Sequence, residues 1–186
     1  MPQTFPPSLL FIGGCRSGKS ALAQRWAEVC GPRRTYIATC AVQDAEMAAR
    51  VARHQALRGA GWETVEAPED APTALMRAAA SQPDAIVLDC ITLWLSALCA
   101  KGLAPDAILQ EVDALADILR RPPCPVAVVS NELGLGMVPM AALSRTFRDL
   151  SGEAHQKLAA ACGTVLFVTC GLPLALKGSI PHALHS

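Results

Sequence analysis

The chain has 186 residues, 52% of them apolar and 17% charged, with a formal net charge of zero. That length predicts one domain, residues 1–186, able to bury a continuous core, and the composition excludes a disordered chain. No block of Lys and Arg points to nucleic acid or an anionic membrane as partner, and no run approaches the ~20 apolar residues of a membrane span.

The N-terminus, Met1 to Pro7, lacks the basic region of a signal peptide, so a cytoplasmic location is expected. Leu9–Ile12 is an apolar run and reads as a strand. Gly13-Gly14-Cys15-Arg16-Ser17-Gly18-Lys19-Ser20 follows, and Ala21–Trp26 then takes up a helical pattern. Strand, Gly-rich turn and helix are the setting in which G-x-x-x-x-G-K-[ST] forms a phosphate-binding loop. In such a loop backbone N–H groups and the positive end of the helix dipole face the phosphates. Lys19 would reach the β- and γ-phosphates and Ser20 would offer its hydroxyl to Mg²⁺. Gly31-Pro32 stops this helix.

Thr35–Thr39 reads as a second strand and Asp44–Leu57 as a helix. Glu46, Arg50 and His54, each four apart, form one polar stripe on it. That stripe is either a solvated face or a site in which the His54 imidazole acts as base or as nucleophile toward phosphorus. Trp62–Glu66 is a short strand and Glu69–Ala80 a helix. Ala85–Leu88 is a continuous apolar run, as for a strand buried on both faces, and it ends in Asp89. Asp89 is placed either as a Walker-B-type acid, holding Mg²⁺ or a nucleotide hydroxyl, or as the cap of the helix that starts at Ile91.

Helices follow over Ile91–Cys99 and Pro105–Leu119, a buried strand over Pro125–Val129, a Gly-rich loop at 134–139, a long helix over Ala141–Ala161 and a last strand over Val165–Thr169. Arg145, Arg148 and Asp149 share a helix face, where the arginines could clamp a phosphate or pair with the aspartate. Residues 1–7 and 178–186 are expected to be loose tails. The alternation predicts an α/β, P-loop NTPase-type fold, a mainly parallel sheet with helices on both faces and its ligands at the carboxyl ends of the strands. The eight cysteines include no C-x-x-C pair and read as reduced, mostly packed thiols. No N-K-x-D string is present, so the guanine code of GTPase switches is missing.

Assembled, these segments resemble the bifunctional adenosylcobinamide kinase / adenosylcobinamide-phosphate guanylyltransferase family. The resemblance runs from about Leu9 to Lys177. It rests on Gly13–Ser20, Tyr36–Thr39, Glu46 through Arg50 to His54 and Arg58, Trp62–Glu66, Asp89–Leu95, Ser130–Pro139, Phe147–Asp149 with Gly152, and Gly171–Pro173 with Leu176-Lys177. It implies phosphorylation of adenosylcobinamide by ATP or GTP, then transfer of GMP from GTP to adenosylcobinamide phosphate through a guanylylated histidine matching His54. It implies nucleotide contacts at Gly13, Gly14, Cys15, Arg16, Ser17, Gly18, Lys19, Ser20, Ala38, Thr39, Cys40, Gln55, Ala56, Leu57, Arg58, Glu66 and Asp89, with Mg²⁺ at Ser20 and Asp89, and a homo-oligomer. Two departures stand out: His155-Gln156 where the family often has Asn-Gln, and Ala97 where an Asn commonly follows Trp-Leu-Ser. His155 is read as a helix-surface residue. The phosphate loop alone would also fit a kinase of another small alcohol or nucleotide, or a nucleotide-binding switch.

Overall fold

Strict alternation in the first strand sets the layering. In β1 (Ser8–Gly13), Leu9 and Phe11 point to one side of the sheet while Leu10 and Ile12 point to the other. All four are buried, as expected of a strand covered on both faces. The computed structural model describes residues 7–40 and 58–185.

After β1 come α1 (Lys19–Cys30), β2 (Arg34–Ala38), β3 (Trp62–Glu66), α2 (Ala71–Ala80), β4 (Ala85–Asp89), α3 (Ile91–Ala100), α4 (Pro105–Arg120), β5 (Val126–Asn131), α5 (Ala142–Ala161), β6 (Thr164–Thr169) and β7 (Leu172–Lys177). They form one seven-stranded sheet in the order β3-β2-β4-β5-β1-β6-β7, parallel except for the β6–β7 hairpin. Leu22, Ala23, Trp26 and Ala27 of α1 close one face over Leu9, Phe11, Val87 and Val129. On the other, α2 to α5 bury Leu75, Trp94, Leu115 and Leu158 against Leu10, Ile86, Leu88 and Val128. The anticipated α/β fold, with helices on both faces, is the one observed.

Local chemistry explains the element ends. Asp70 accepts a hydrogen bond from the Thr73 amide at 3.0 Å and caps α2, with Pro72 in the first turn. The helix therefore starts at Ala71, two residues later than the apolar pattern suggested. The expected helix over Asp44–Leu57, including His54, lies outside the described residues.

Two expectations are corrected. Thr169 does not end the last strand, because β7 pairs antiparallel with β6 beyond it. Pro173 obscured that strand, but an edge strand has a solvent-facing side where a missing N–H is harmless. The tail after Lys177 is also not loose throughout. A 3₁₀ turn, His182–Leu184, lays Leu184 (3% exposed) on the α1 face, and the Arg25 guanidinium donates two hydrogen bonds to the Ala183 carbonyl, at 2.9 and 3.1 Å. Truncating a buried leucine removes its transfer energy and leaves a cavity. Leu184→Ala is therefore expected to destabilise the protein by about 2 kcal/mol in urea unfolding, whereas His185→Ala, an exposed neighbour, should leave the midpoint unchanged.

Candidate active site

The phosphate loop leaves β1 under tight steric control. A Cβ on Gly13 would stand 2.2 Å from the Val168 carbonyl oxygen, so no side chain fits there. Gly18, at φ +99°, lies in the left-handed region, and a Cβ on it would meet the Gly171 Cα at 3.1 Å. Arg16 also takes a positive φ, 55°, a conformation that non-glycine residues adopt at a cost and that clusters at functional sites. The Gly171 amide donates to the Ser17 carbonyl at 2.9 Å and ties the loop to the β6–β7 turn.

Gly18 is the residue before α1, and no side chain caps that helix; its first turn also lacks an acid. The leading N–H groups, with the helix dipole behind them, make a ready anion site. Lys19 is buried and donates to the Gly14 carbonyl at 2.7 Å and to Ser17 Oγ at 3.4 Å. Burial lowers its pKa from the usual range, and the Asp89 carboxylate pulls it back up. Gly14, Cys15 and Arg16 are exposed at the tip, and Ser20 is half-buried at the start of α1.

Asp89, Ala38 and Glu66 stand level with one another at the ends of β4, β2 and β3. Asp89 is not on the strand next to the phosphate loop, however. β5 lies between β4 and β1, pairs Asp89 with Val129, and then runs on until Asn131 stands opposite Gly13. Nor does Asp89 cap α3: the cap position is Cys90, and no side chain bonds there. Its carboxylate instead accepts the Tyr36 hydroxyl at 2.8 Å. Burial, and next the Asp89 charge, push the Tyr36 phenol well above its ordinary range, so it remains a donor. The buried Arg58 guanidinium lies 3.8 Å from the Tyr36 ring centroid and donates to Thr64 Oγ1 at 3.2 Å. Tyr36 thus couples Arg58 to Asp89. Its position in the strand gave no sign of this, although it is the chain's one tyrosine and lies two residues before the strand end.

Thr39 is fully buried, and its hydroxyl is committed to the Cys90 peptide, accepting from the amide at 2.7 Å and donating to the carbonyl at 2.6 Å. Its side chain clasps the β4–α3 junction. Cys40 is half-buried beside it, and Glu66 is exposed. Gln55, Ala56 and Leu57 lie, with His54, outside the described residues.

Two readings of the second half of the chain change. Arg145 donates to the Pro139 and Met140 carbonyls, at 3.1 and 2.6 Å, and Arg148 donates to the Gly134 carbonyl at 2.7 Å. Both brace the 132–141 loop from α5, and neither pairs with Asp149. The Glu132 carboxylate accepts from the Gly134 and Leu135 amides, and the Glu132 amide donates to the Gly13 carbonyl at 2.9 Å. His155 is not on the helix surface: it is half-buried, with Nε2 2.7 Å from Ser130 Oγ. Burial lowers its pKa, opposed by the Glu132 charge.

This arrangement of loop, acid and strand ends coincides with a match to known proteins. Residues 9–176 match the family described as cobinamide kinase / cobinamide phosphate guanyltransferase. The chain belongs to that family. It is 43% identical over 169 residues to the bifunctional adenosylcobalamin biosynthesis protein CobP of Pseudomonas aeruginosa, covering 91% of this chain and 96% of that protein. It is 39% identical over 184 residues to CobU of Salmonella typhimurium and 35% identical over 184 residues to CobU of Escherichia coli, covering 91% of this chain and 99% of each relative. Among the described residues of this cobinamide kinase / guanyltransferase family member, no helix is long and apolar enough to cross a membrane.

The His155 environment gives a pH signature. Its folded pKa lies below the ordinary value of 6.5, so the unfolded chain binds the proton more readily. The stability this contributes is fully present above pH 6.5 and is lost as the pH falls from there through the folded pKa. Denaturation midpoints should therefore fall more steeply below pH 6.5 for the natural protein than for His155→Gln, which has no proton to bind in this range.

Proposed function

We infer that the protein phosphorylates adenosylcobinamide with ATP or GTP and then converts the product to adenosylcobinamide-GDP with GTP, a step of cobalamin assembly in the cytoplasm. The match of residues 9–176 to a family defined by both activities carries this reading. The uncapped α1 N-terminus and the buried Lys19 supply the physical means.

In the kinase step the acceptor hydroxyl oxygen bonds to the γ-phosphorus, the β–γ bridging P–O bond breaks, the nucleoside diphosphate leaves and the hydroxyl proton passes to solvent. The loop N–H groups and Lys19 offset charge on the β- and γ-oxygens as it shifts toward the leaving group. Lys19 now spends its ammonium on the Gly14 carbonyl and Ser17, partners that a phosphate oxygen can replace. In the transferase step a ring nitrogen of His54 bonds to the α-phosphorus of GTP and pyrophosphate leaves. A phosphate oxygen of adenosylcobinamide phosphate then attacks the same phosphorus, the N–P bond breaks and the histidine is restored. The covalent intermediate means that GTP and the acceptor need not be bound together.

The Ser20 hydroxyl and Asp89 carboxylate, from α1 and β4, are the hard oxygen donors that Mg²⁺ selects. Bound there, Mg²⁺ would supply further neutralisation of phosphate charge. Glu66, Asp89 and the main chain of Ala38 to Cys40 lie at the strand ends where the nucleoside would rest, with Arg58 reaching Tyr36 and Thr64 beside them, and the carboxylates are suited to its hydroxyls.

Incubation with α-labelled GTP and Mg²⁺ should give an acid-labile, alkali-stable label on His54, discharged by adenosylcobinamide phosphate. Lys19→Ala should lower both activities at least 100-fold. His54→Ala should abolish only GMP transfer; full activity of that variant in both steps would instead identify a P-loop kinase that does not use the histidine.

The assembly is a homo-oligomer in this reading. Leu172, Leu174 and Leu176 project, 59–69% exposed, from one side of the edge strand β7, and Met137 and Met140 are 96% and 95% exposed on the 132–141 loop. Apolar stripes on an unpaired edge are surfaces that proteins ordinarily cover. Leu174→Glu should shift the species measured by light scattering toward the 19.5 kDa monomer, and an unchanged mass for Leu174→Glu and Met137→Glu alike would remove these surfaces as the interface.

A further inference from the structure

We propose that His155 is a positioning residue: by holding the Ser130 hydroxyl it fixes, through Thr92, the main chain at Asn131 between the phosphate loop and Asp89. The kinetic part of its test rests on the two-step reading above; the geometry does not.

Three elements meet in one chain of hydrogen bonds. The Asn131 amide donates to Thr92 Oγ1 at 2.9 Å, in the first turn of α3. Thr92 Oγ1 lies 3.2 Å from Ser130 Oγ, and Ser130 Oγ lies 2.7 Å from His155 Nε2 on α5. Because the amide can only donate, Thr92 has its own proton to place. Ser130 Oγ is nearer than the alternative, the Asn131 carbonyl at 3.5 Å. The Ser130 proton then goes to His155, whose burial keeps the ring neutral and Nε2 able to accept. All four groups run in one direction, and the chain ends on an acceptor.

The location makes this more than packing. Ser130 is fully buried and Thr92 nearly so, so neither can turn to water for a substitute partner. Asn131 stands opposite Gly13, and the next amide, Glu132, donates to the Gly13 carbonyl. The end of β5 is therefore bonded to the first residue of the phosphate loop on one side and, through Val129, to Asp89 on the other. Elsewhere the buried face of α5 is mostly apolar, with Leu150, Ala154 and Leu158. An imidazole among them meets a need that packing does not create.

The variants separate hydrogen bonding from volume. Leucine fills the space and cannot accept a proton; glutamine carries its amide oxygen about as far from the backbone as Nε2. His155→Leu is expected to lower kcat about tenfold in both steps with little change in KM, because sub-ångström errors at a reacting centre cost rate. The Asn131 amide resonance should move. His155→Gln should restore both. Ser130→Ala should reproduce His155→Leu, and the double variant should be no worse than either single one. Natural turnover and an unmoved Asn131 amide in His155→Leu overturn the proposal, as does a His155→Gln protein impaired like His155→Leu. If the natural protein itself transfers no GMP, the two-step reading fails, and the Asn131 amide shifts decide the role of His155 alone.

Discussion

A carbonyl oxygen with no room beside it governs this structure. Val168 of β6 presents its oxygen where a Cβ of residue 13 would stand, so β1 can end only in glycine. That contact lets the chain turn directly over the sheet edge. The Gly18–Gly171 approach and the Ser17–Gly171 hydrogen bond then hold the far side of the loop to the β6–β7 turn. With both flanks fixed, the first N–H groups of α1 have a defined direction, and the absence of a side-chain cap leaves them for a ligand. The antiparallel hairpin, the one interruption of the parallel sheet among the described residues, is thus the floor on which the phosphate loop is built.

A short run of side-chain contacts sets the other half of the edge. Lys19 and Asp89 feel each other across β5, yet Asp89 is engaged by Tyr36, and Tyr36 lies under the Arg58 guanidinium. One carboxylate therefore sees a lysine of the phosphate loop on one side and a phenol–arginine stack on the other. Burial, and after it the neighbouring Asp89 charge, keep the phenol protonated. A neutral donor on one flank leaves the rest of the carboxylate oxygens available to a cation or a hydroxyl.

Much of the fold was legible because its signals are local. The Leu9–Ile12 and Ala85–Leu88 runs, the Gly31-Pro32 stop and the G-x-x-x-x-G-K-S string each encode their own geometry. The strand order is not local. Nothing in residues 85–89 says that β5 will insert between them and β1 and leave Asp89 one strand removed from the loop. β7 was hidden by Pro173, and the tail's anchoring by the lack of any periodic pattern around Ile180 and Leu184, the residues that pack on the α1 face. His155 shows the same limit from the other side. Between Glu153 and the Gln156-Lys157 pair it looks solvated, although helical spacing sets it in line with Ser151 and Leu158, both buried; the packing of α5 over the end of β5 turns it inward.

The inserted strand also explains why the polar network lies where it does. A parallel strand end normally gives way to a loop that is free to relax. Here β5 separates the phosphate loop from the acid and continues past Asp89 to Asn131, so its last residues set the distance between the two. Main-chain pairing alone holds Asn131 on the β1 side only, because its pairing with β4 stops at Val129. The missing restraint comes from side chains: Thr92 takes the Asn131 amide, and the Arg148–Gly134 and Glu132–Gly134 bonds close the turn beyond it. The precision of a site shared by two strands thus depends on α3 and α5, helices that the phosphate-loop motif does not include.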